Sequence, residues 1–375
     1  MNKSTLLSSK HPSLFYAALA FTVFCVSCNT NTKKQATTQS TTVDSVPSEV
    51  KTEKYPVLVS DLYTADPSAH VFENKIYIYP SHDWDSGVPE DDLGNHFNMN
   101  DYHVYSMDSF GGPVKDHGKV LELADVKWAK KQLWAPDAAE KDGTYYFYFP
   151  AKDSSDIFRL GVATGPTPSG PFKALDKPIA NTYSIDPSVF KDGDDYYMYF
   201  GGIWGGQLQR WDNGTYKGTD TYPEDDQPAL TAKIAKLSDD MVTLAEEPKD
   251  VIILDKEGKP LLTGDNERRF FEAAWVHKYN GKYYFSYSTG DTHNIAYGIG
   301  DSPYGPFTYQ GVILKPVLGW TNHHSIAEFD GQWYLFFHDS SLSGGKTYLR
   351  SMKMAPIEYN ADGTIITIDA MVEQP

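Results

Sequence analysis

The sequence predicts an all-β protein, a five-bladed β-propeller, and three observations lead to that prediction. A four-residue motif recurs five times, each copy precedes an aromatic-rich strand–turn–strand pattern, and no long segment shows helical periodicity. The five copies lie at 65–68 (ADPS), 134–137 (WAPD), 185–188 (IDPS), 271–274 (FEAA) and 322–325 (NHHS). Five units over about 320 residues give ~64 residues each, which suits a four-stranded blade with long loops. The alternative is a β-sandwich whose hairpins resemble one another by accident.

The first and third copies set the register of the repeat. Asp66 and Asp186 each precede a tyrosine by eleven positions. The same count places Ala135 at the equivalent point of the second copy and His323 at that of the fifth. The fourth copy has one extra residue before its aromatic run and carries Glu272 in the corresponding part. Because equivalent positions of a radial repeat face one axis, we expect the three acids and His323 to meet in one central pocket.

The strands of each unit are joined by turns that can be read from the sequence. Asn-Gly and Asp-Gly between aromatic runs are strong hairpin signals, because the turn needs positive φ at both central residues. Hairpin turns are predicted at 73–75, 191–195, 280–281 and 330–331. Two proline-rich segments, 167–172 (TPSGPF) and 302–307 (SPYGPF), predict turns that close the outer strands of a blade.

The N-terminus has the character of a lipoprotein-type signal peptide. Two lysines precede an apolar run from Leu14 to Val26, which is too short to span a membrane but suits a signal-peptide core. Ser27 before Cys28 resembles the site where bacterial lipoproteins are cleaved and lipidated, although Cys25 stands where such signals usually carry leucine. We predict lipidation of Cys28 and a location in the bacterial cell envelope, periplasmic or at the cell surface. Plain secretion is the alternative.

The chain accordingly divides into a signal peptide (1–27), a flexible tether (28–54) and one propeller domain (55–375). The tether is rich in Thr, Ser, Gln and Lys and contains no aromatic residue, so it cannot bury a core. The only cysteines are Cys25 and Cys28, so the predicted domain contains no disulfide.

The charge and motifs limit the possible partners. The formal net charge is −17, which disfavours nucleic acid and anionic polysaccharides but suits a neutral sugar polymer. The sequence has no phosphate-binding loop, no Cys/His zinc spacing and no basic stripe. We therefore expect an oligo- or polysaccharide substrate, and membrane contact only through the lipid anchor. The oligomeric state is left open.

Three acids in one pocket suit glycoside hydrolysis. That reaction needs one carboxyl group to protonate the leaving oxygen and a second to act as base or nucleophile. Like charges at close range raise a carboxyl pKa, which keeps one group protonated near neutral pH. Each acid alone could instead be a turn residue, and Asp137, two positions off register, is interpreted as structural. Tryptophans near the repeats could stack on sugar rings, namely Trp84, Trp134, Trp204, Trp275 and Trp320.

From about Tyr55 onward, the chain resembles glycoside hydrolase family 43, whose members are five-bladed propellers with inverting chemistry. The resemblance rests on three acidic segments in the expected order. It implies that Asp66 is the general base, Asp186 the residue that modulates the acid's pKa, and Glu272 the general acid. The first of these would activate water, and the last would protonate the leaving group.

The same resemblance places Trp134 beside the sugar. It also implies that His323 lies on the axis and helps to hold a hydrated calcium ion through water molecules. Arg350 is predicted as a partner of the substrate or of a carboxylate, with an ordinary blade arginine as the alternative. Ala273 and Asn322 stand where the family commonly has glycine, so the subgroup and its substrate are left open.

The function predicted is release of arabinose or xylose from plant hemicellulose or pectin side chains, such as those of xylan and arabinan. An exo-acting α-L-arabinofuranosidase or β-xylosidase fits best, because the long loops 83–101 and 205–227 could wall off a pocket. Two alternatives remain: a retaining glycosidase from another five-bladed family, and a non-catalytic carbohydrate-binding propeller at the cell surface.

Overall fold

The computed structural model describes residues 51–373, and regular structure in this range is almost entirely β-strand. Five sheets, called blades 1 to 5 in chain order, hold most of the strands. Blade 1 consists of Tyr63–Phe72, Lys75–Asp83, Asp101–Met107 and Lys115–Glu122. Blade 2 consists of Asp137–Lys141, Thr144–Lys152, Phe158–Gly165 and Lys173–Ala174. Blade 3 consists of Ser188–Asp192, Asp195–Phe200, Lys233–Lys236 and Lys249–Asp250.

The last two blades depart from the four-stranded plan. Blade 4 consists of Phe270–Tyr279, Lys282–Thr289, Ile295–Gly300, Phe307–Leu314 and a parallel fifth strand, Ile253–Leu254. Blade 5 has three strands, His324–Phe329, Gln332–Asp339 and Ser351–Ile357. Two short pairs lie outside the blades, Lys51–Glu53 with Met371–Glu373 and Trp211–Asp212 with Thr215–Tyr216. The 3₁₀ helices of the described range are Leu123–Asp125, Trp204–Gly206 and Leu208–Arg210.

The first strand of each blade lies nearest the axis. Each of these inner strands contacts the inner strands of both neighbouring blades, so the contacts run around the ring and return to blade 1. This closed ring confirms the predicted all-β, five-bladed propeller and excludes the β-sandwich. Across residues 51–373, no helix has the length and apolar character needed to cross a membrane.

The ends of the ring are joined by the segment that leads into blade 1. The Leu58 N–H donates to the Met352 carbonyl and the Thr64 N–H to the Arg350 carbonyl, both at 2.9 Å. The strand Lys51–Glu53, which pairs with Met371–Glu373 outside the blades, lies just before residue 55, where the propeller domain is predicted to begin. The predicted signal peptide, Cys28 and the tether up to residue 50 lie outside the described residues.

The predicted turns have the backbone conformation that their sequences favour. Asn280 and Gly281 have φ of 49° and 76°, and Asp330 and Gly331 have φ of 52° and 75°. The two proline-rich segments connect the third and fourth strands of blades 2 and 4. These turn predictions are confirmed.

The recurring tyrosines link one blade to the next. In blades 1 to 3, a fully buried tyrosine of the second strand donates its hydroxyl proton to a backbone carbonyl in the following blade. These bonds are Tyr79 to Pro168 (2.7 Å), Tyr148 to Met241 (2.8 Å) and Tyr199 to Pro303 (2.6 Å). A buried hydroxyl needs such a partner, so the aromatic repeat supplies both apolar packing and a directional contact between blades.

Candidate active site

A cavity of about 400 Å³ lies at one end of the axis. It contains all four side chains that the repeat register brings together, Asp66, Asp186, Glu272 and His323, and also Arg350. The remaining lining residues are Phe97, Met99, Trp134, Ala135, Ile185, Trp204, Trp320 and Thr321.

Irregular backbone at the entry to the inner strands aims the acids into the cavity. Asp66, Asp186 and Ala273 have φ of 50°, 55° and 61°, a region that non-glycine residues rarely adopt. The pairing register shifts at Asp66, between Ala65 and Ser68, and on both sides of Glu272. Such bulges redirect side chains and are concentrated beside functional sites.

Asp66 is held as an ionised carboxylate. Its Oδ1 accepts a hydrogen bond from Arg350 Nη1 at 2.9 Å, and its Oδ2 accepts one from Ser81 Oγ at 2.7 Å. Burial alone would raise the pKa of Asp66, but the Arg350 charge and the Ser81 hydrogen bond help to lower this pKa to about 2.

Arg350 is itself fixed by a second carboxylate. Its Nε and Nη2 donate to the two oxygens of Asp83 at 2.8 and 2.9 Å, and its Nη1 reaches Asp66. The arginine is 4% exposed and its guanidinium lies 5.0 Å from the centre of the Phe97 ring. The structure thus makes Arg350 a carboxylate partner in the pocket wall. Sequence reasoning missed Asp83, which ends the second strand of blade 1 outside the repeated motif.

His338, also missed from the sequence, supports the backbone of Asp66. The Asp66 N–H donates to His338 Nδ1 at 3.0 Å, so the ring proton lies on Nε2, 3.2 Å from the Thr321 carbonyl. Burial and the nearby Arg350 charge lower the pKa of His338 to about 3, which keeps the ring neutral. A neutral imidazole of this tautomer can accept from one backbone group and donate to the other.

Glu272 and Asp186 have the opposite electrostatics from Asp66. Burial and the neighbouring charges of Asp186 and Asp66 raise the pKa of Glu272 well above its usual range. Burial is also the main cause that raises the pKa of Asp186 to about 6, while His323 opposes that rise. The Ala273 N–H donates to Asp186 Oδ2 at 2.9 Å and favours its ionised form. Of this pair, Glu272 is therefore the group that retains a proton at neutral pH.

His323 lies between the two aspartates. Its Nδ1 is 3.6 Å from Asp66 Oδ1 and 4.0 Å from Asp186 Oδ2. Beside it, two buried polar atoms, Asn322 Oδ1 and His324 Nδ1, have no hydrogen-bond partner among the described residues. Buried polar atoms of this kind are commonly satisfied by ordered water, so the surroundings fit a hydrated ion.

A complete cage of protein ligands is not present around His323. Within residues 51–373, the group of three potential metal-ligand side chains within 4.8 Å of one another is His82, Asp101 and His103. That group lies on the second and third strands of blade 1. Calcium at His323 would therefore depend on water for most of its oxygen ligands.

Three of the five tryptophans proposed from the sequence line the cavity. Trp134 is fixed by its Nε1–H, which donates to the Phe97 carbonyl at 2.7 Å. Trp204 and Trp320 form an edge-to-face pair with ring centres 4.8 Å apart, and Trp320 is 40% exposed. Trp275 is buried with its Nε1–H donating to the Ile326 carbonyl, so it does not offer its face to a sugar, and Trp84 is exposed but is not among the residues that line the cavity.

Asp137 joins three blades rather than the reaction pocket. Its Oδ1 accepts a hydrogen bond from Ser68 Oγ and lies 2.5 Å from His70 Nε2, both in blade 1. Its Oδ2 accepts the Val189 N–H of blade 3 at 2.5 Å. The side chain is 1% exposed, and these contacts agree with the structural interpretation of its off-register position.

The geometry can support acid–base hydrolysis, and comparison with known proteins points to the same chemistry. The sequence model for "Glycosyl hydrolases family 43" matches residues 56–365. A xylosidase/arabinosidase of Bacteroides ovatus is 59% identical over 326 residues, which cover 86% of this chain and all of the relative. A beta-xylosidase of Xylanibacter ruminicola is 54% identical, covering 82% of this chain and 97% of the relative.

Solved structures agree with this relationship. A GH43 beta-xylosidase/alpha-arabinofuranosidase from a compost metagenome, crystallised with xylotriose in a calcium-free form, is 63% identical with a TM-score of 0.83. The match covers 86% of this chain and 99% of that protein. A GH43_1 enzyme of Xanthomonas citri in complex with xylotriose is 56% identical, with a TM-score of 0.82 and coverage of 85% and 94%.

Proposed function

The chain belongs to glycoside hydrolase family 43, and from this premise we propose that it is an exo-acting, inverting enzyme that releases terminal xylose or arabinofuranose units. The substrates are side chains and oligosaccharides of plant hemicellulose such as xylan, or of pectin. The observation that carries the proposal is the presence of two carboxyl groups with opposite pKa shifts, Asp66 and Glu272, in one cavity. The names of the close relatives support the choice of sugars.

The division of labour follows from the charges. Asp66 is ionised at working pH, so as general base it takes a proton from the water that attacks the anomeric carbon. Glu272 is protonated, so as general acid it donates its proton to the leaving glycosidic oxygen. Because water enters from the face opposite the leaving group, the released sugar has the inverted configuration. Arg350 keeps Asp66 ionised, and Asp186 keeps Glu272 protonated by like-charge repulsion.

The shape of the cavity supports exo action. Residues of two long loops line the cavity beside the acids, as expected for a pocket that receives a chain end. Phe97 and Met99 come from the loop that precedes the third strand of blade 1. Trp204 lies near the start of the long segment between the second and third strands of blade 3. Trp134 provides an aromatic face in the same wall, as expected for a sugar contact.

A calcium ion held through water at His323 is the proposed cofactor. It would supply positive charge beside the carboxylates of Asp66 and Asp186, and the unpartnered buried polar atoms of Asn322 and His324 support a hydrated site. The 63%-identical relative is described as crystallised in a calcium-free form. Removal of calcium by a chelator should lower the melting temperature or the activity, and no change in either would contradict this role.

We place the enzyme in the bacterial cell envelope, anchored through lipidated Cys28. The support is the lysine-flanked apolar run followed by Ser27 and Cys28, and secretion without an anchor is the competing location. Cys28→Ser should move the protein from the membrane fraction to the soluble fraction. Continued membrane association of that variant would contradict the anchor.

The decisive experiment follows product formation from xylobiose, xylotriose and aryl arabinofuranosides by NMR. We expect single sugars to be released from the chain end, with the first-formed anomer inverted. A retained anomer would favour the retaining mechanism, and absence of release from the full substrate panel would favour a non-catalytic binding propeller. The Asp66→Asn protein serves as the control for background hydrolysis.

A further inference from the structure

A second cavity, of about 590 Å³, shares one wall with the active-site cavity. The shared wall is Trp204, which lines both. The other lining residues are Leu93, Asn95, Lys131, Lys152, Ser155, Asp156, Gly205, Gln207, Arg210 and Tyr216. The two long loops beside the active site form part of this second space, called the loop cavity, and the rest is formed by blade 2 and the segment before it.

Lys152 places a buried positive charge in the loop cavity. It ends the second strand of blade 2 and is only 3% exposed. Its Nζ lies 4.9 Å from the centre of the Phe158 ring and 5.9 Å from that of Trp134. Across residues 51–373, no carboxylate lies within the 4.0 Å that would make an ion pair with this ammonium group.

The other two cations of the loop cavity already have counter-ions. Lys131 Nζ lies 3.0 Å from Asp156, and Arg210 Nε lies 2.5 Å from Asp220. Lys152 therefore represents the uncompensated charge. Burying an ammonium group without an anion or hydrogen-bond acceptors is costly, and the two aromatic rings offset only part of that cost. Its position beside a sugar site suggests that the compensating group comes with the substrate.

We propose that the loop cavity binds the carboxylate of a uronic acid substituent carried by the sugar next to the cleaved bond. This inference rests on the proposed function, because it assigns the loop cavity to the leaving-group side of the same substrate. Lys152 Nζ donates to the carboxylate, and Trp204 and Tyr216 provide aromatic surface for the sugar ring. The result is a preference for acid-decorated over undecorated oligosaccharides.

The acidic surface of the protein is compatible with this preference. A net charge of −17 repels a polyanion as a whole, but that long-range repulsion is screened by salt. A buried ammonium group acts at short range on a single carboxylate. The combination selects sparsely acidic, mostly neutral chains.

The test compares xylotriose with an oligosaccharide of the same xylose backbone that carries glucuronic acid on the residue next to the non-reducing end. We expect wild-type kcat/KM to be about 10-fold higher for the acidic substrate, the size of a charge-assisted hydrogen bond. Lys152→Met should remove this preference and leave the neutral substrate within about 2-fold of the wild type. Lys249→Met is the matched control, because Lys249 also lies over an aromatic ring, 4.7 Å from the centre of Tyr304, but on the outer strand of blade 3.

Two further measurements keep the outcomes separate. Calorimetric binding of both oligosaccharides to Glu272→Gln protein tests the loop cavity without turnover, so it remains informative even if the proposed reaction is wrong. High salt should leave the preference for the acidic ligand in place, because salt screens the long-range repulsion by the acidic surface and affects a buried contact much less; this check needs no change at Lys152. Equal effects of Lys152→Met on both ligands, or equal wild-type affinity for both, would overturn the proposal and leave Lys152 as a support for the Trp134 ring.

Discussion

Arg350 explains how two carboxyl groups of one pocket keep different protonation states. Its guanidinium is in direct contact with Asp66 and Asp83, whereas its charge has the smallest effect among the causes that act on Glu272. The cation therefore lowers one pKa strongly and fails to offset burial and repulsion at the other. The difference that acid–base catalysis requires is produced by position within a shared cavity rather than by residue type.

Replacement of Glu272 by alanine should slow substrates with poor leaving groups more than substrates with good leaving groups. Without the acid, xylobiose hydrolysis should slow by about 10²–10⁴-fold, because its leaving oxygen needs a proton. An aryl xyloside with a dinitrophenyl leaving group should lose far less, since that group departs as a stable anion. The measurement is kcat/KM on both substrates, and similar losses on both would argue that another residue is the acid.

Asp186→Asn should move the basic limb of the pH–activity profile to lower pH. The ionised Asp186 raises the pKa of Glu272 by repulsion, so its removal lets Glu272 lose its proton earlier. The acidic limb, which reports Asp66, should move less. If activity falls while the basic limb stays in place, Asp186 contacts the substrate and does not tune the acid.

At the scale of the structural elements, the inner strand of each blade is where sequence and site correspond. Asp66, Asp186, Glu272 and His323 could be predicted because each stands at the same point of a repeated pattern. That pattern exists because all inner strands face one axis and must bulge or begin there. The position of each residue in the repeat therefore predicts its position around the propeller axis.

The supporting residues could not be predicted in this way. Asp83 and His338 belong to second strands, where the repeat consists of aromatic residues and the polar positions differ from blade to blade. The loop cavity is formed by two long loops together with blade 2 and the segment before it, so its lining residues do not stand at equivalent points of the repeat. Contacts between segments over 250 residues apart, such as Asp83 with Arg350, depend on closure of the whole ring.

The hydroxyl of Tyr148 offers a test of the contacts between blades. Tyr148→Phe removes its hydrogen bond to the Met241 carbonyl and leaves a buried acceptor unpaired, which should cost about 1–3 kcal/mol. The melting temperature should fall accordingly. Tyr146→Phe, on the same strand but only partly buried, is the matched control and should change little. Equal melting temperatures for the two variants would show that the bond between blades contributes nothing measurable.

At the scale of the whole molecule, the two carboxyl groups assigned to catalysis affect folding stability in opposite ways. Glu272 has a pKa well above its unfolded value, so the folded state holds its proton more tightly than the unfolded state. Stability therefore falls as pH rises from about 4.5 toward the folded pKa of Glu272. Asp66 behaves oppositely, because its pKa of about 2 contributes stability above pH ~4 that is lost on acidification.

These opposite signs predict opposite effects on stability of two substitutions that each remove a carboxyl group assigned to catalysis. Glu272→Gln keeps the shape and removes the unfavourable ionisation, so its melting temperature at pH 7 should exceed that of the wild type. At pH 4, where Glu272 is protonated in the folded protein, the difference should nearly vanish. Asp66→Asn should instead destabilise at pH 7, by about 2 kcal/mol for a pKa lowered from 3.8 to about 2, because Arg350 loses its charged partner.

Differential scanning calorimetry across pH 4–7 measures both effects on the same samples. A pH-dependent gain for Glu272→Gln would show that the protonated acid is maintained at the expense of stability, whereas a loss for Asp66→Asn would show that the ionised base stabilises the fold. If Glu272→Gln lowers the melting temperature equally at both pH values, Glu272 contributes through packing. In that case its proton is not held by the burial and repulsion on which the proposed acid role depends.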